Sequence, residues 1–283
     1  MGSAALQARA VRGLQLDADL TARVLEGFIH DEISKFGFTR AVVAVSGGID
    51  SALTCVLATR AFGPANVLAV LMPYRTSNPS SQGDAELLVA QLGNPSKVID
   101  ITDAADGYLR TQADAGDRRR GNVMARMRMI VLYDQSEAFA ALVVGTSNKT
   151  ELLLGYGTLH GDMASAVNPI GDLYKSQVRQ LAHAVGVPAP ILTKAPSADL
   201  WQGQSDEDEL GFTYELADQI LYLLVDEWFA PAEVMAAGYP EPLVRQIAER
   251  VRRSQFKRRP PVIAKVSDRT IDRDFRFPRD WGL

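Results

Sequence analysis

The sequence predicts a doubly wound parallel α/β sheet with helices on both faces and helical additions at the N- and C-termini. Three observations predict it. Short apolar runs at 41–45, 67–71 and 142–144 have the length and valine content of buried parallel strands. Helical patterns alternate with these runs, which calls for a sheet covered on both sides. A glycine pair follows the first run directly, where an open parallel sheet holds its ligands.

Residues 17–36 read as an amphipathic helix, with Leu20, Val24, Phe28 and Ile29 at helical spacing and Gly37 to stop it. The strand at 41–45 leads through a loop into a helix over 50–62, ended by Gly63-Pro64. The strand at 67–71 precedes a polar stretch, 75–83, and a helix over 84–92. A third strand spans 97–101 and a helix 103–113. A charged break at 116–121 precedes a long helix over 122–139. The fourth strand, 142–144, runs through a loop at 145–148 into a helix starting near Lys149. Residues 155–169 are glycine-rich and irregular. Helices follow over 173–185, 210–226 and 241–254, the first stopped by Gly186 and Pro188. The chain reads as one domain over 1–283, with its core at about 20–262.

Of 283 residues, 47% are hydrophobic and 23% charged, with a formal charge of −4. That balance argues against a general binder of nucleic acid or membrane surface. Arg252-Arg253 and Lys257-Arg258-Arg259 form a basic cluster, read either as a solvated helix end or as part of a site. Cys55 is the sole cysteine, which excludes an intramolecular disulfide and a cysteine metal site, and it reads as a packed helix residue. His30, His160 and His183 lack metal-ligand spacing. The first residues lack the apolar core of a secretion signal and no 18-residue apolar run occurs, so a cytoplasmic protein is expected.

The hexapeptide Ser46-Gly47-Gly48-Ile49-Asp50-Ser51 sits between a strand and a helix. A helix N-terminus offers free N–H groups and a positive dipole end to a phosphate. Adjacent glycines let the backbone come close and adopt positive φ, and Ser46 and Ser51 add hydroxyl donors. Asp50 would repel a phosphate unless a cation intervenes, which points to Mg2+. The bland reading is a strand-turn-helix with an ordinary cap. Neither GxxxxGK[ST] nor GxGxxG is present.

The hexapeptide resembles the SGGxDS signature of the ATP pyrophosphatases, with Ala52 where many members carry Ser or Thr. Four further stretches resemble the NAD synthetase family within that group. They are Leu71-Met72-Pro73-Tyr74-Arg75; Asn122 through Met129; Val144 through Glu151, continuing through Gly155-Tyr156, Gly161-Asp162 and Asn168-Pro169 to Lys175; and Lys194 through Leu200 paired with Lys257 through Pro261. The resemblance implies an adenine nucleotide alpha hydrolase-like fold. It implies ATP contacts at Ser46, Gly47, Gly48, Ile49, Asp50, Ser51, Thr146, Lys175 and Ser197, and Mg2+ on Asp50 and Glu151. It places deamido-NAD contacts at Arg126, Leu159, Ala166, Phe256 and Lys257. Leu159, Ala166 and Phe256 stand where better-known ammonia-dependent members carry Lys, Asp and His, and 155–163 looks closer to the synthetase domain of the glutamine-dependent branch.

The activity implied is amidation of deamido-NAD through an adenylate, with release of pyrophosphate and then AMP. No protein nucleophile is required. About 40 residues precede the loop, too few for an amidohydrolase domain, so ammonia is the expected nitrogen source, free or delivered by a partner. A homodimer is expected by resemblance. Two other readings stay open: a tRNA-modifying ATP pyrophosphatase, which would want catalytic cysteines or a broad basic face, and a non-catalytic ATP-binding module.

Overall fold

The computed structural model describes residues 2–197, 199, 201, 203–278 and 282. Ala198 and Leu200 of the 194–200 stretch lie outside the described residues, as do both end residues of the expected 1–283 domain.

Four strands form one parallel sheet: β1 (Ala41–Ala44), β2 (Val67–Leu71), β3 (Ser96–Val98) and β4 (Leu142–Val144). Their order is β3-β2-β1-β4, and Ala41 lies opposite Val67 on one side and Leu142 on the other. Strand side chains alternate faces. Val43 and Val45 pack with α2 (Ala18–Ser34), α3 (Ile49–Phe62) and α8 (Lys175–Ala184) through Ile29, Ile33, Leu53, Leu57 and Leu181. Val42 and Val70 pack on the other face with α5 (Thr102–Leu109) and α6 (Asp117–Phe139) through Leu109, Met124 and Leu132. The predicted doubly wound arrangement is the one observed.

A third core lies beside the sheet. It joins α1 (Ser3–Gly13), α7 (Lys149–Leu154), α11 (Tyr214–Leu221), α12 (Pro231–Ala236) and α13 (Glu241–Arg253) through Leu6, Leu154, Ile220, Val234 and Ile247. Between these run α4 (Pro79–Leu92), α9 (Ala189–Thr193) and α10 (Asp206–Leu210).

The structure moves several predicted boundaries. The helix expected at 84–92 begins at Pro79, because the Asn78 side chain accepts from Ser80 N and proline suits the first helical position. The charged break at 116–121 is mostly the first turn and a half of α6, which starts at Asp117. The helix expected at 210–226 starts at Tyr214, after Gly211 (φ +81°) and behind the Thr213 cap, and runs on through a π-helical last turn, Tyr222–Asp226; the acidic stretch before it forms a separate short helix, Asp206–Leu210. Helices α1, α9, α10 and α12 fall outside the predicted set, and β3 is a short, exposed edge strand. On α2, Leu20, Val24 and Phe28 face outward at 51%, 58% and 40% exposure, while Ala22, Ile29 and Ile33 face the core. The helix carries two apolar stripes, and the neighbouring helices select the second.

The strand order places the site. The chain runs outward from β1 to β3 and then returns to lay β4 on the other side of β1. Loops leaving β1 and β4 therefore part at a topological switch point, which opens a crevice beyond the strand ends.

Candidate functional site

A cavity of about 1400 Å3 occupies that crevice. Its floor includes the loop from Ser46 to Ser51, and the loop is built by its own hydrogen bonds. Ser51 Oγ donates to Gly48 O at 2.9 Å and accepts from Ser46 N at 3.2 Å. Ser46 Oγ accepts from Gly48 N at 3.3 Å. Only one of the two glycines takes a positive φ: Gly47 sits at +80°, whereas Gly48 sits at −91°. A Cβ on Gly47 would lie 2.0 Å from the Ser81 carbonyl oxygen of α4. Close approach therefore requires glycine at 47 for two independent reasons.

The opposite wall comes from β4 and the helices after it. Asn148 caps α7: its Oδ1 accepts from Glu151 N at 2.9 Å, and Glu151 Oε2 reaches back to Asn148 N at 3.4 Å. This reciprocal box satisfies two helix-end donors. The remaining amide hydrogens of Asn148 face β1's loop, and Nδ2 donates to Asp50 Oδ1 at 2.8 Å. One fully buried side chain thus positions both acids.

Lys175 completes the cluster. Its ammonium is paired with Asp50 and lies 3.2 Å from Glu151 Oε1. It sits over the Tyr214 ring at 5.2 Å, with 3% of its side chain exposed. Its backbone is fixed too: Lys175 N donates to Thr150 Oγ1 at 2.9 Å, and Thr150 Oγ1 donates to Asp218 at 2.6 Å. Burial opposes charge on Lys175, but the Asp50 and Glu151 carboxylates outweigh it and hold the ammonium above its ordinary range. Burial pushes the Glu151 carboxyl up; Lys175 works against that and Asp50 with it. Asp50 and Glu151 both present a carboxylate oxygen to the Lys175 ammonium. Two carboxylates with phosphate oxygens and water make a donor set suited to Mg2+. Among the described residues, no group of three or more His, Cys, Asp or Glu is placed to hold a metal ion.

Of the other expected nucleotide contacts, Thr146 and Ser197 line the cavity. Ser197 Oγ accepts from Asp199 N at 3.1 Å, and the Asp199 carboxylate accepts from Asn78 N at 3.0 Å. The 196–206 loop thereby touches the start of α4. Its ends meet where Asp206 N donates to Pro196 O at 3.2 Å.

The substrate-side positions divide. Lys257 lines the cavity and donates to the carbonyls of Gly155 and Gly157, each at 2.7 Å. Arg126, Leu159, Ala166 and Phe256 do not line it. Arg126 Nε donates to Leu159 O at 3.3 Å on the outside of α6, Ala166 N donates to Val143 O at 2.9 Å, and Phe256 is 63% exposed. The basic cluster divides as well. Arg252 and Arg253 pair with Glu249 at the surface, while Arg258 donates to the carbonyls of Leu152, Leu153 and Val251. Cys55 is buried, as expected, and its thiol is pushed up to about 12 by burial.

Asn148, Asp206 and Arg128 support or line the cavity, yet the sequence motifs assign none of them a role there. Asn148 carried a signal, an Asn followed three residues later by Glu at a helix start. Asp206 accepts from Tyr156 at 3.0 Å and from Tyr214 at 3.2 Å beneath Lys175, and no local pattern announces that. Arg128 shares its helix with Arg126, yet it is the one that lines the cavity.

The family described as NAD synthase matches residues 21–261. An NH(3)-dependent NAD(+) synthetase from Trichlorobacter lovleyi is 58% identical over 269 residues, spanning 95% of this chain and 98% of that protein. One from Fusobacterium nucleatum is 50% identical over 84% of this chain and 93% of its own length. Among solved structures, the NH3-dependent NAD synthetase from Campylobacter jejuni, in complex with the nitrate ion, superposes with a TM-score of 0.76 at 34% identity. That match covers 88% of this chain and all (100%) of the other. The NMN synthetase from Francisella tularensis superposes at 0.78 with 32% identity, covering 88% and 99%. Family match, full-length relatives and shared architecture agree: the chain belongs to the NAD synthase family.

Proposed function

We infer that this chain is an ammonia-dependent NAD synthetase, a ligase that converts deamido-NAD, ATP and ammonia into NAD, AMP and pyrophosphate. The observation that carries the reading is the Lys175 ammonium held between Asp50 and Glu151 directly beside the Ser46–Ser51 turn. A buried cation, two carboxylates and a helix N-terminus converging on one crevice suit a polyphosphate and its counter-ion.

A carboxylate resists ammonia because its leaving group is poor. The nicotinate carboxylate oxygen attacks the α-phosphorus of ATP, and the bond from that phosphorus to the β-phosphate oxygen breaks. Pyrophosphate leaves. Ammonia then attacks the carbonyl carbon of the mixed anhydride, AMP departs, and the nitrogen loses one proton to give the amide. In this reading the free N–H groups at the start of α3 and the Lys175 ammonium hold the pyrophosphate portion. Thr146 and Ser197 bound the nucleotide, and Lys257 orders the 155–157 backbone on the acceptor side. These groups orient reactants and stabilise charge. Asp50 and Glu151 would hold Mg2+, which supplies charge neutralisation on the phosphates when bound.

The same reading makes the enzyme a cytoplasmic homodimer. Arg126, Leu159, Ala166 and Phe256 lie off the cavity of a single chain, and Ile130 and Tyr133, on α6 with Arg126, are 54% and 40% exposed. A second copy over that surface would bring these positions to a shared acceptor site. Among the described residues, no helix is long and apolar enough to cross a membrane.

The test is exchange of labelled pyrophosphate into ATP. Exchange that requires deamido-NAD and is abolished by Asp50→Ala supports the synthetase. Stimulation by tRNA, or wild-type exchange in the Asp50→Ala protein at saturating Mg2+, would sink it. Sedimentation as a monomer across the micromolar range would remove the dimer.

A further inference from the structure

Arg128 holds a guanidinium in the cavity wall with most of its donors unused. Nε donates to the carbonyl of Met72 at 3.0 Å, just past the end of β2, which fixes the plane of the group. Among the described residues this is the only hydrogen bond Arg128 makes, and it enters no salt bridge. Asp199 and Asp162 are the acids that face it, and neither is bonded to it. Other cations that line the cavity are engaged. Lys194 is held by Ser81 and Asp84 at 2.9 Å each, Lys257 by two carbonyls, and Arg179 by Glu215 at 2.8 Å. Arg118 is exposed and solvated.

An arginine cannot shed its proton. Burial lowers the Arg128 guanidinium from its ordinary value, but the group stays charged at neutral pH. A largely desolvated charge without a bonded partner is costly unless a ligand brings the opposite charge. A guanidinium whose plane is fixed and whose Nη edge is free matches two oxygens of one phosphate. Its place narrows the choice of phosphate. Arg128 stands at the end of β2, whereas the turn at 46–51 and Lys175 lie at the ends of β1 and β4. Arg128 thus stands one strand over from the groups read above as holding the leaving pyrophosphate, on the side away from Lys175.

We propose that the terminal Nη groups of Arg128 bind a phosphate on the nucleotide side of the reaction, either the α-phosphate that AMP retains or a phosphate of the acceptor dinucleotide. This rests on the nucleotide reading of the cavity given above. It makes Arg128 a binding residue distinct from Arg126, two positions away on α6.

Calorimetric titration of the full chain with AMP, deamido-NAD and Mg2+-pyrophosphate tests it on wild type, Arg128→Gln and Arg128→Lys. Both variants lose the fork, and Lys keeps the charge. The expected result is binding of AMP or of deamido-NAD weakened about tenfold or more, equivalent to about 1.4 kcal/mol, with pyrophosphate binding unchanged. Whichever nucleotide weakens identifies the source of the phosphate. Wild-type affinity for both nucleotides in a folded variant overturns the proposal. So does an equal loss for all three ligands together with a lowered melting temperature, which would mark a purely structural role through Met72. Wild-type protein that binds none of the three would instead overturn the synthetase reading.

Discussion

The side-chain amide of Asn148 donates to Asp50 Oδ1 at 2.8 Å, across 98 residues of sequence. The same side chain caps the helix that carries Glu151. A single amide thus joins the glycine turn after β1 to the acid after β4.

Asn148→Ala and Asn148→Asp separate the two roles. The alanine variant removes the cap and the Asp50 contact, and should lose about 1 kcal/mol of stability together with most pyrophosphate exchange. The aspartate variant keeps a capping oxygen but sets a carboxylate against Asp50. It should melt closer to wild type and still exchange poorly. Full exchange in Asn148→Asp would show that the contact does not position Asp50.

The two glycines of the turn should respond differently. Gly47→Ala places a methyl 2.0 Å from the Ser81 carbonyl at a positive φ. A loss of about 2 kcal/mol or more, and of exchange activity, is expected. Gly48→Ala has an ordinary φ and meets only Ser46 Oγ, at 3.4 Å, so its melting temperature should stay near wild type. Thermal melts of both variants check the contrast, and equal melting temperatures would contradict it.

Lys175→Met should be inactive and less stable without ligand. It strands Asp50 and Glu151 beside each other, and breaking a buried ion pair costs about 3–5 kcal/mol. Because the two side chains are each 17% exposed, the lower end is expected. Added Mg2+ should restore part of the stability if both acids can ligate it. Denaturant melts with and without Mg2+ read this out, and a variant insensitive to Mg2+ would count against the metal assignment.

Cys55 gives a pH signature. Its thiol rises from 9.0 to about 12 because it is buried. A raised acid favours the protonated form in the folded state. The unfolded thiol therefore ionises first, and stability is retained below 9.0 and lost as pH climbs towards 12. The slope is about 1.4 kcal/mol per pH unit in that window. Cys55→Ser should flatten the slope above pH 9. A native thiol that labels at pH 8 without denaturant would refute the burial.

Much of this protein is legible in its sequence because the signals are local. The valine runs of β1, β2 and β4 have the length and composition of buried strands, and the glycine turn after the first lies where an open parallel sheet holds its ligands. Where the reading slipped, the deciding partner was distant. Leu20, Val24 and Phe28 have helical spacing, but whether that stripe or the one through Ile29 and Ile33 faces inward depends on α3 and α8. The early start of α4 was written in Asn78-Pro79, a local signal hidden in a polar stretch.

The sequence by itself determined the strand-turn-helix unit at 41–62, the alternation that builds the sheet, and the resemblance that names its family. Periodicity and turn chemistry act within a few residues, so a sequence displays them directly. Tertiary structure alone decided that Lys175 lies buried between Asp50 and Glu151, and that Arg128 rather than Arg126 lines the cavity. It also decided that Lys257 and Arg258 turn inward while Arg252 and Arg253 stay in water. Each of these depends on which distant surface a side chain meets, and burial and charge pairing become fixed only when the chain has folded back on itself.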